Sequence, residues 1–367
     1  MILVSILGDF QSSVLPVFYQ FRHKIKKHII IHDDFKCDTK EAENIIKGIK
    51  RFCDKHTLDI HNIIYKIDED SKNDISKLGN FIKQHTTDIN QLYINTTDGL
   101  SSINTLLTLH FIPLGANILS YDRYDNECNI ISKDDMQTYL LDDVTSIQDH
   151  FLLKNLYVES IGDKDFALKH EEAIISLFEN HHSEFKRFAN HVIQHTDPSF
   201  RGFDNIANIL HTMNIYRNDL KHNQTLITGG LFEYYIFLKL KELKYDDMEI
   251  GMIVKQYYNN TDFIPNEFDI LIMKDNHLHM IECKYTNKIK LDQLVYKYMG
   301  LKNLIDDDGK IIMVTSHESQ VPIEQLHNPL YNLPYKRAKA NKMLLLDNPL
   351  KDIEKFITKV KDFCELY

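Results

Sequence analysis

Asn266-Glu267-Phe268-Asp269-Ile270-Leu271-Ile272 and, beyond a polar turn, Met280-Ile281-Glu282-Cys283-Lys284-Tyr285 are the two stretches on which the fold depends. Both are apolar runs of strand length, each interrupted by charge. Residues two apart on a strand share a face, so Glu282 and Lys284 point one way while Ile281, Cys283 and Tyr285 point the other. Lys274-Asp275-Asn276-His277 predicts a hairpin over Phe268–Met273 and Leu278–Tyr285 that returns Glu282 towards Asp269. Two carboxylates and one ammonium then meet at one sheet edge. Upstream, Gly229-Gly230 precedes a helix on which Glu233 is placed to add a third carboxylate.

Around this hairpin the pattern predicts a helix over Leu231–Lys244, a strand over Met252–Tyr258, a helix over Leu291–Ile305 and a strand over Ile311–Thr315, which makes residues 226–367 an α/β domain. Residues 151–225 are almost free of glycine and read as helices at Phe151–Ile161, Glu171–His195 and Asn205–Arg217, a helical connector. In residues 1–150, short β-branched runs at Ile2–Leu7, Ile29–Ile31, Ile63–Ile67, Leu92–Ile94 and Ile118–Ser120 alternate with amphipathic stretches. One such stretch, Asp38 to His56, places Ala42, Ile45, Ile46, Ile49 and Phe52 on one face, with Asp38 or Thr39 as cap. This alternation predicts a mostly parallel, helix-covered sheet. The Asp125-Asn126 step and the run Asn129–Ser132 add a final hairpin at its edge.

A doubly wound sheet holds its ligand beyond the carboxyl ends of its strands, where strand order reverses. Gly8-Asp9-Phe10-Gln11-Ser12-Ser13 follows the first strand, and Asn95-Thr96-Thr97-Asp98-Gly99-Leu100-Ser101-Ser102 follows the fourth. Both loops carry small hydroxyl and amide groups and lead into helices, whose first N–H groups can hold a phosphate. Helix capping alone would also select these residues; their coincidence at the strand ends of one sheet favours a ligand. The absence of GxGxxG after the first strand argues against an ordinary NAD or FAD site.

Composition narrows the choices. The 367 residues are 43% hydrophobic and 26% charged, with no apolar run near the roughly 20 residues that span a bilayer, so a soluble globular chain of two domains, or one large one, is expected. MILVSILGDF lacks a basic region ahead of its apolar stretch and reads as a buried strand, which implies a cytoplasmic protein with no membrane partner. Five cysteines without a CxxC pair favour reduced thiols over a disulfide framework or zinc ribbon. A net charge of −10 excludes a nucleic-acid-coating protein, so any such contact is local or aided by a metal.

Clustered carboxylates suit phosphodiester hydrolysis: they bind a hard divalent cation, which activates water and stabilises the transition state, while a nearby Lys adds positive charge. The rival reading, an ion pair closing a hairpin, asks for three charges inside two apolar strands for little gain in stability. Asp269, twelve intervening residues and Glu282-x-Lys284, preceded by the helical Glu233, resemble the PD-(D/E)xK restriction-endonuclease-like superfamily. The Glu-Cys-Lys form and Gly229-Gly230-x-x-Glu233 resemble, within it, the CRISPR-associated nucleases that join an N-terminal CARF domain to this fold. The resemblance implies catalytic roles for Glu233, Asp269, Glu282 and Lys284, with Mg²⁺ or Mn²⁺ bound by Asp269, Glu282 and the Cys283 carbonyl. It also suggests Gln293 or Lys297 as a residue supplied by the next helix.

For residues 1–150 the resemblance is to the CARF domain, whose dimer binds a cyclic oligoadenylate. It implies a homodimer, with nucleotide contacts from Gly8, Asp9, Gln11, Ser12, Ser13, Asn95, Thr96, Thr97, Asp98, Gly99 and Ser101. Asp98 stands where relatives commonly have Gly, and Leu100-Ser101 replaces a Thr-Lys step, which removes a cation and adds a carboxylate. The combined expectation is a metal-dependent endonuclease, acting on DNA or RNA, activated by a cyclic oligoadenylate such as cyclic tetra-adenylate in type III CRISPR antiviral defence. The alternatives are a constitutive repair or restriction nuclease and a non-enzymatic nucleotide sensor. Three further features have simpler explanations. His181-His182 with the i,i+4 pair His191 and His195 admits a metal reading but lacks HExxH. Tyr257-Tyr258 and Tyr296 with Tyr298 admit base stacking but suit a core. The basic run Tyr335–Lys342 suits phosphate contact and a solvated face about equally.

Overall fold

The computed structural model describes residues 1–8, 11–33, 39–67, 75–99, 101–257, 263–285, 291–301, 304, 309–316 and 336–365. The chain divides into two compact units, residues 1–158 with 255–264 and residues 159–254 with 265–367. Among the described residues no helix is long and apolar enough to cross a membrane.

The first unit is built on a seven-stranded sheet of order β3-β2-β1-β4-β5-β6-β7. Its strands are β1 (Ile2–Leu7), β2 (Lys27–Asp33), β3 (His61–Ile67), β4 (Leu92–Asn95), β5 (Asn117–Asp122), β6 (Glu127–Ile131) and β7 (Met136–Leu140). The first five run parallel and the last two close the edge as antiparallel strands. Every residue of β1 is buried, which is why that strand is a continuous apolar run instead of an alternating one. Helix α1 (Leu15–Phe21) and α2 (Thr39–Lys55) share a core with one face of the sheet, and Ala42, Ile45, Ile49 and Phe52 are buried there as the period of the sequence predicts. Helices α3 (Ile75–Gln84) and α4 (Ser101–Phe111) share the other face's core through Leu78, Ile82, Ile103, Leu107 and Phe111. The strand order reverses between β1 and β4, so the two polar loops lie at the switch point. Asp38, one of the two candidate caps of α2, lies outside the described residues.

The second unit holds a six-stranded sheet of order β13-β12-β11-β10-β9-β8. Its strands are β8 (Tyr157–Ser160), β9 (Asp247–Tyr257), β10 (Phe263–Lys274), β11 (His277–Lys284), β12 (Ile311–Thr315) and β13 (Met343–Asp347). Several helices predicted for residues 151–225 differ from what is observed. Phe151–Ile161 is not one helix: α5 (Ile147–Leu153) stops before Asn155, whose φ of 58° is left-handed, and the chain then extends as β8. Glu171–His195 breaks at Asn180-His181 into α7 (Glu171–Glu179) and α8 (His182–Gln194), preceded by α6 (Lys164–Lys169). The helix predicted over Asn205–Arg217 is α9 (Asp204–Thr212), ended by Asn214 at φ 60°. The apolar period runs on through each of these breaks, so the pattern does not betray them. The helices are part of the second unit's core: Ile174, Phe178, Phe185 and Leu210 form one cluster with Phe232 and Ile236 of α10 (Leu231–Leu240) and with Ile270, Ile281 and Cys283.

A buried histidine in the first unit gives a measurable consequence. His28 is fully buried in β2, stacks on Phe18 at 5.1 Å and shares a 2.9 Å hydrogen bond with the Ser5 hydroxyl. Burial pushes its pKa down to about 3. The unfolded chain takes up this proton near pH 6.5 and the folded chain does not, so stability is lost as pH falls below 6.5, by about 1.4 kcal/mol per pH unit until the folded group also titrates. Denaturant unfolding at pH 6.5 and 4.5 is expected to show His28→Gln losing about 2–3 kcal/mol less than the parent over that interval.

Candidate active site

The hairpin of β10 and β11 turns on Asp275 and Asn276, both left-handed at φ 50° and 62°, the conformation of a two-residue turn matched to the twist of the strands. This fixes Lys274 against His277 and, four pairs later, Ile270 against Ile281. One step further, Asp269 and Glu282 come opposite each other. There the ladder changes partner: the Cys283 N–H donates to Asp269 Oδ2 at 2.7 Å. β11 continues in parallel pairing with β12, Glu282 against Met313 and Lys284 against Thr315. Ile281 and Cys283 belong to the core on one face, as the alternation predicts, and Tyr285 packs against it.

The charged groups converge. Lys284 Nζ lies 3.7 Å from Asp269 Oδ2 and makes a short ion pair with Glu282 Oε1. Asp269 and Glu282 are 7% and 1% exposed, so this is a desolvated cluster. Burial, with Glu282 and Glu233 adding to it against Lys284 and the Cys283 N–H, pushes the Asp269 carboxyl up to about 8. Burial likewise raises Glu233 to about 7, opposed by Lys284 and assisted by Glu267 and Glu282. For Lys284 burial acts downward, but Asp269 and Glu282 outweigh it and the ammonium is held above its ordinary value. Burial foremost raises the Cys283 thiol well above its usual range, leaving its backbone carbonyl as the group of that residue suited to a cation.

Glu233 projects from the first turn of α10. Gly229 and Gly230 do not stand outside the helix; they lie in a π-helical turn, Leu226–Gly230, that runs directly into it. A Cβ on Gly229 would sit 3.8 Å from Glu233 Oε1, ordinary contact. Tyr298 of α11 (Leu291–Leu301) is fully buried, and burial first, then the Glu282 carboxylate, raises its pKa. Of the two candidates on that helix, Lys297 donates to the Tyr298 hydroxyl at 3.0 Å, while Gln293 is exposed.

The donor set suits a hard cation. Glu282 Oε2 is buried without a hydrogen-bond partner, and beside it stands a second carboxylate, an all-oxygen set. Among the described residues no three His, Cys, Asp or Glu side chains form a ready metal cluster. The histidine alternative is weak: His191 Nε2 accepts from the Ser199 N–H at 3.3 Å and its ring lies 4.1 Å from that of His195.

In the first unit, the loops after β1 and β4 touch. The Gly8 N–H donates to Asp98 Oδ2 at 2.8 Å, and a Cβ on Gly8 would meet the Gly99 nitrogen at 2.5 Å. Gly99 itself is left-handed, φ 96°, against Ile6. Asn95 is fully buried and its Oδ1 accepts from the Thr97 N–H at 3.1 Å and hydroxyl at 2.5 Å. Thr97 Oγ1 in turn accepts from the Tyr121 N–H at 2.9 Å, and the Thr96 hydroxyl donates to the Leu119 carbonyl at 3.1 Å. Asn95 Nδ2 and Ser13 Oγ are buried without partners. Ser101 is exposed at the start of α4. Asp9 lies outside the described residues, as do the side chains of Gln11 and Ser12. Tyr258 and Tyr335 are also outside; Arg337, from the basic run, lies over the exposed Tyr296 ring at 5.3 Å.

The chain joins a Rossmann-like unit to a second α/β unit that contains a match to an endonuclease domain. Residues 220–325, which contain Glu233, Asp269, Glu282 and Lys284, match the family described as Card1-like, endonuclease domain. The fold as a whole is similar to protein VC1899 from Vibrio cholerae, with 14% identity and a TM-score of 0.76 over 99% of this chain and 98% of that one. It is also similar to Can2 from Sulfobacillus thermosulfidooxidans, solved with cyclic tetra-adenylate, at 15% identity and TM-score 0.69 over 98% of both chains. A type III CRISPR defence DNA nuclease activated by cyclic oligoadenylate aligns at 13% identity and TM-score 0.50 over 87% of this chain and 46% of that one. No protein with a curated description matches the sequence.

The raised Asp269 carboxyl sets a testable sign. Without metal, the folded chain retains a proton that the unfolded chain releases near pH 4, so stability is fullest in mild acid and is lost as pH rises towards 8. Asp269→Asn keeps an acceptor for the Cys283 N–H and removes the charge. In the presence of EDTA it is expected to stabilise the protein at pH 8, on the order of 1–3 kcal/mol, and to change little at pH 4.5, measured by denaturant unfolding.

Proposed function

We propose that this protein is a metal-dependent endonuclease switched on by a cyclic oligoadenylate. The single observation that carries the reading is the convergence of Asp269, Glu282 and Lys284 in a desolvated cluster within the segment that matches an endonuclease domain. Asp269, Glu282 and the Cys283 carbonyl would hold Mg²⁺ or Mn²⁺, which supplies Lewis-acid polarisation of the phosphate and lowers the pKa of water. Lys284, kept cationic by its two acids, offsets the negative charge that develops on the phosphoryl oxygens. Glu233, with a carboxyl near pKa 7, is suited to exchange a proton at neutral pH.

The activator reading draws on the first unit. Its ligand loops sit at the switch point, and the fold is similar along nearly its whole length to a protein solved with cyclic tetra-adenylate. A ring of identical nucleotides is matched by two copies of one chain about a two-fold axis, so the active species is a homodimer. Leu106 and Leu109 on α4, 39% and 68% exposed, give that helix an apolar face suited to a second copy. The setting is type III CRISPR antiviral defence, in the cytoplasm, with a nucleic acid as substrate.

The test is incubation of the purified full chain with supercoiled plasmid, single-stranded DNA or RNA. Each is combined with Mn²⁺, Mg²⁺ or EDTA, with and without cyclic tetra- or hexa-adenylate. Cleavage is expected only where metal and ring are both present, and Glu282→Ala is expected to lose about 10³-fold or more in rate. Cleavage that persists in Glu282→Ala overturns the site assignment. Full activity without any ring overturns the activator.

A further inference from the structure

Asp98 closes the rim of the switch point in the first unit. It is 7% exposed, and its Oδ2 accepts from the Gly8 N–H at 2.8 Å. Oδ1 lies 2.7 Å from where a Cβ on Gly8 would stand, so both carboxylate oxygens lie against the glycine. Any other acceptor that is to use the Gly8 N–H must first move this side chain. The backbone of the loop is fixed by other groups: Asn104 Nδ2 donates to the Thr96 carbonyl at 3.2 Å and to the Asp98 carbonyl at 2.9 Å, and Asn95 Oδ1 accepts from the Thr97 N–H at 3.1 Å. Rotation of the Asp98 side chain is therefore enough to uncover Gly8. The closed rim also leaves polar capacity unused, since Asn95 Nδ2 and Ser13 Oγ, on the same two loops, are buried without partners. Buried polar groups ordinarily find a partner, and a polar ligand at the rim would supply one.

We propose that Asp98 is an intramolecular competitor of the activator: its carboxylate holds the Gly8 N–H in the unliganded chain, and a phosphate of the ring nucleotide must displace it. The inference rests on the activator reading above and adds the residue that sets its threshold. Carboxylate and phosphate are both anions that seek the same backbone donor, so one excludes the other. A carboxylate left beside the phosphate opposes binding further, as a like charge at close range. Asp98 thereby raises the ring concentration at which the protein is switched on.

The test compares the full-length parent with Asp98→Asn, Asp98→Ala and Asp98→Glu. Binding of cyclic tetra- and hexa-adenylate is measured by isothermal titration calorimetry without metal or substrate, and the ring concentration for half-maximal cleavage is then read with Mn²⁺ and nucleic acid. Asp98→Asn, which drops the charge and keeps the size, is expected to bind the ring about 10–100-fold more tightly, the range spanned by one hydrogen bond to a charged group. Asp98→Ala should move the same way, and Asp98→Glu, which keeps the charge at the rim, should gain less than either. Half-maximal cleavage should shift to lower ring concentration by the same factor. A parent that binds no ring while Asp98→Asn binds one is the same result in stronger form. Unchanged or weaker binding in the neutral variants overturns the inference and leaves the activator reading intact. An equal gain in Asp98→Glu also overturns it, because the gain then comes from a loosened loop. Should one neutral variant fail to fold, the other carries the test. If neither the parent nor any folded variant binds a ring, the activator reading falls and this inference with it.

Discussion

Two carboxylates facing each other across neighbouring strands, both nearly out of contact with water, form the constraint on which the second unit depends. Such a pair is unfavourable by itself: each acid suffers desolvation and the other's charge. Lys284 offsets part of this, and the Cys283 N–H contributes one hydrogen bond to Asp269. The remainder appears as raised carboxyl pKa values at Asp269 and Glu233. The Glu282 oxygen that lacks a hydrogen-bond partner fits the divalent cation of the proposed function.

The surrounding architecture explains why the cluster does not relax. Asp269 and Glu282 sit on two central strands of a six-stranded sheet, with β9 and β12 on either side. One face is sealed by a core that runs from Ile174 and Phe178 to Cys283, and Val295 and Tyr298 of α11 are buried as well. Strands held in this way cannot spread to admit water, so the groups keep their places.

The first unit solves a different problem. Its two loops at the switch point use their own polar groups on one another: Asp98 with the Gly8 N–H, Asn95 with Thr97, and Thr97 with Tyr121. Gly8 and Gly99 are required because the loops approach within the distance a side chain would occupy. The result is a preorganised rim whose ordering cost is met on folding. Asp98 occupies the Gly8 N–H, a donor that under the proposed function a phosphate would otherwise use.

Much of this was legible in the chain. Period-two alternation and a two-residue Asp-Asn turn are local signals, and together they set the register that brings Asp269, Glu282 and Lys284 to one place. The parallel sheet of the first unit was equally legible, because strands buried on both faces must be continuous β-branched runs. The breaks at Asn155, Asn180 and Asn214 and the short edge strand β8 were not, since the apolar period passes through each break and β8 owes its form to a partner distant in sequence. Tyr296 and Tyr298 look alike on a helix, and only packing of α11 leaves one in solvent and buries the other. The sequence by itself determined which residues carry charge and how near neighbours alternate, because both follow from covalent order. Only the tertiary structure decided how deeply those charges are desolvated, because that depends on groups brought together across long stretches of chain.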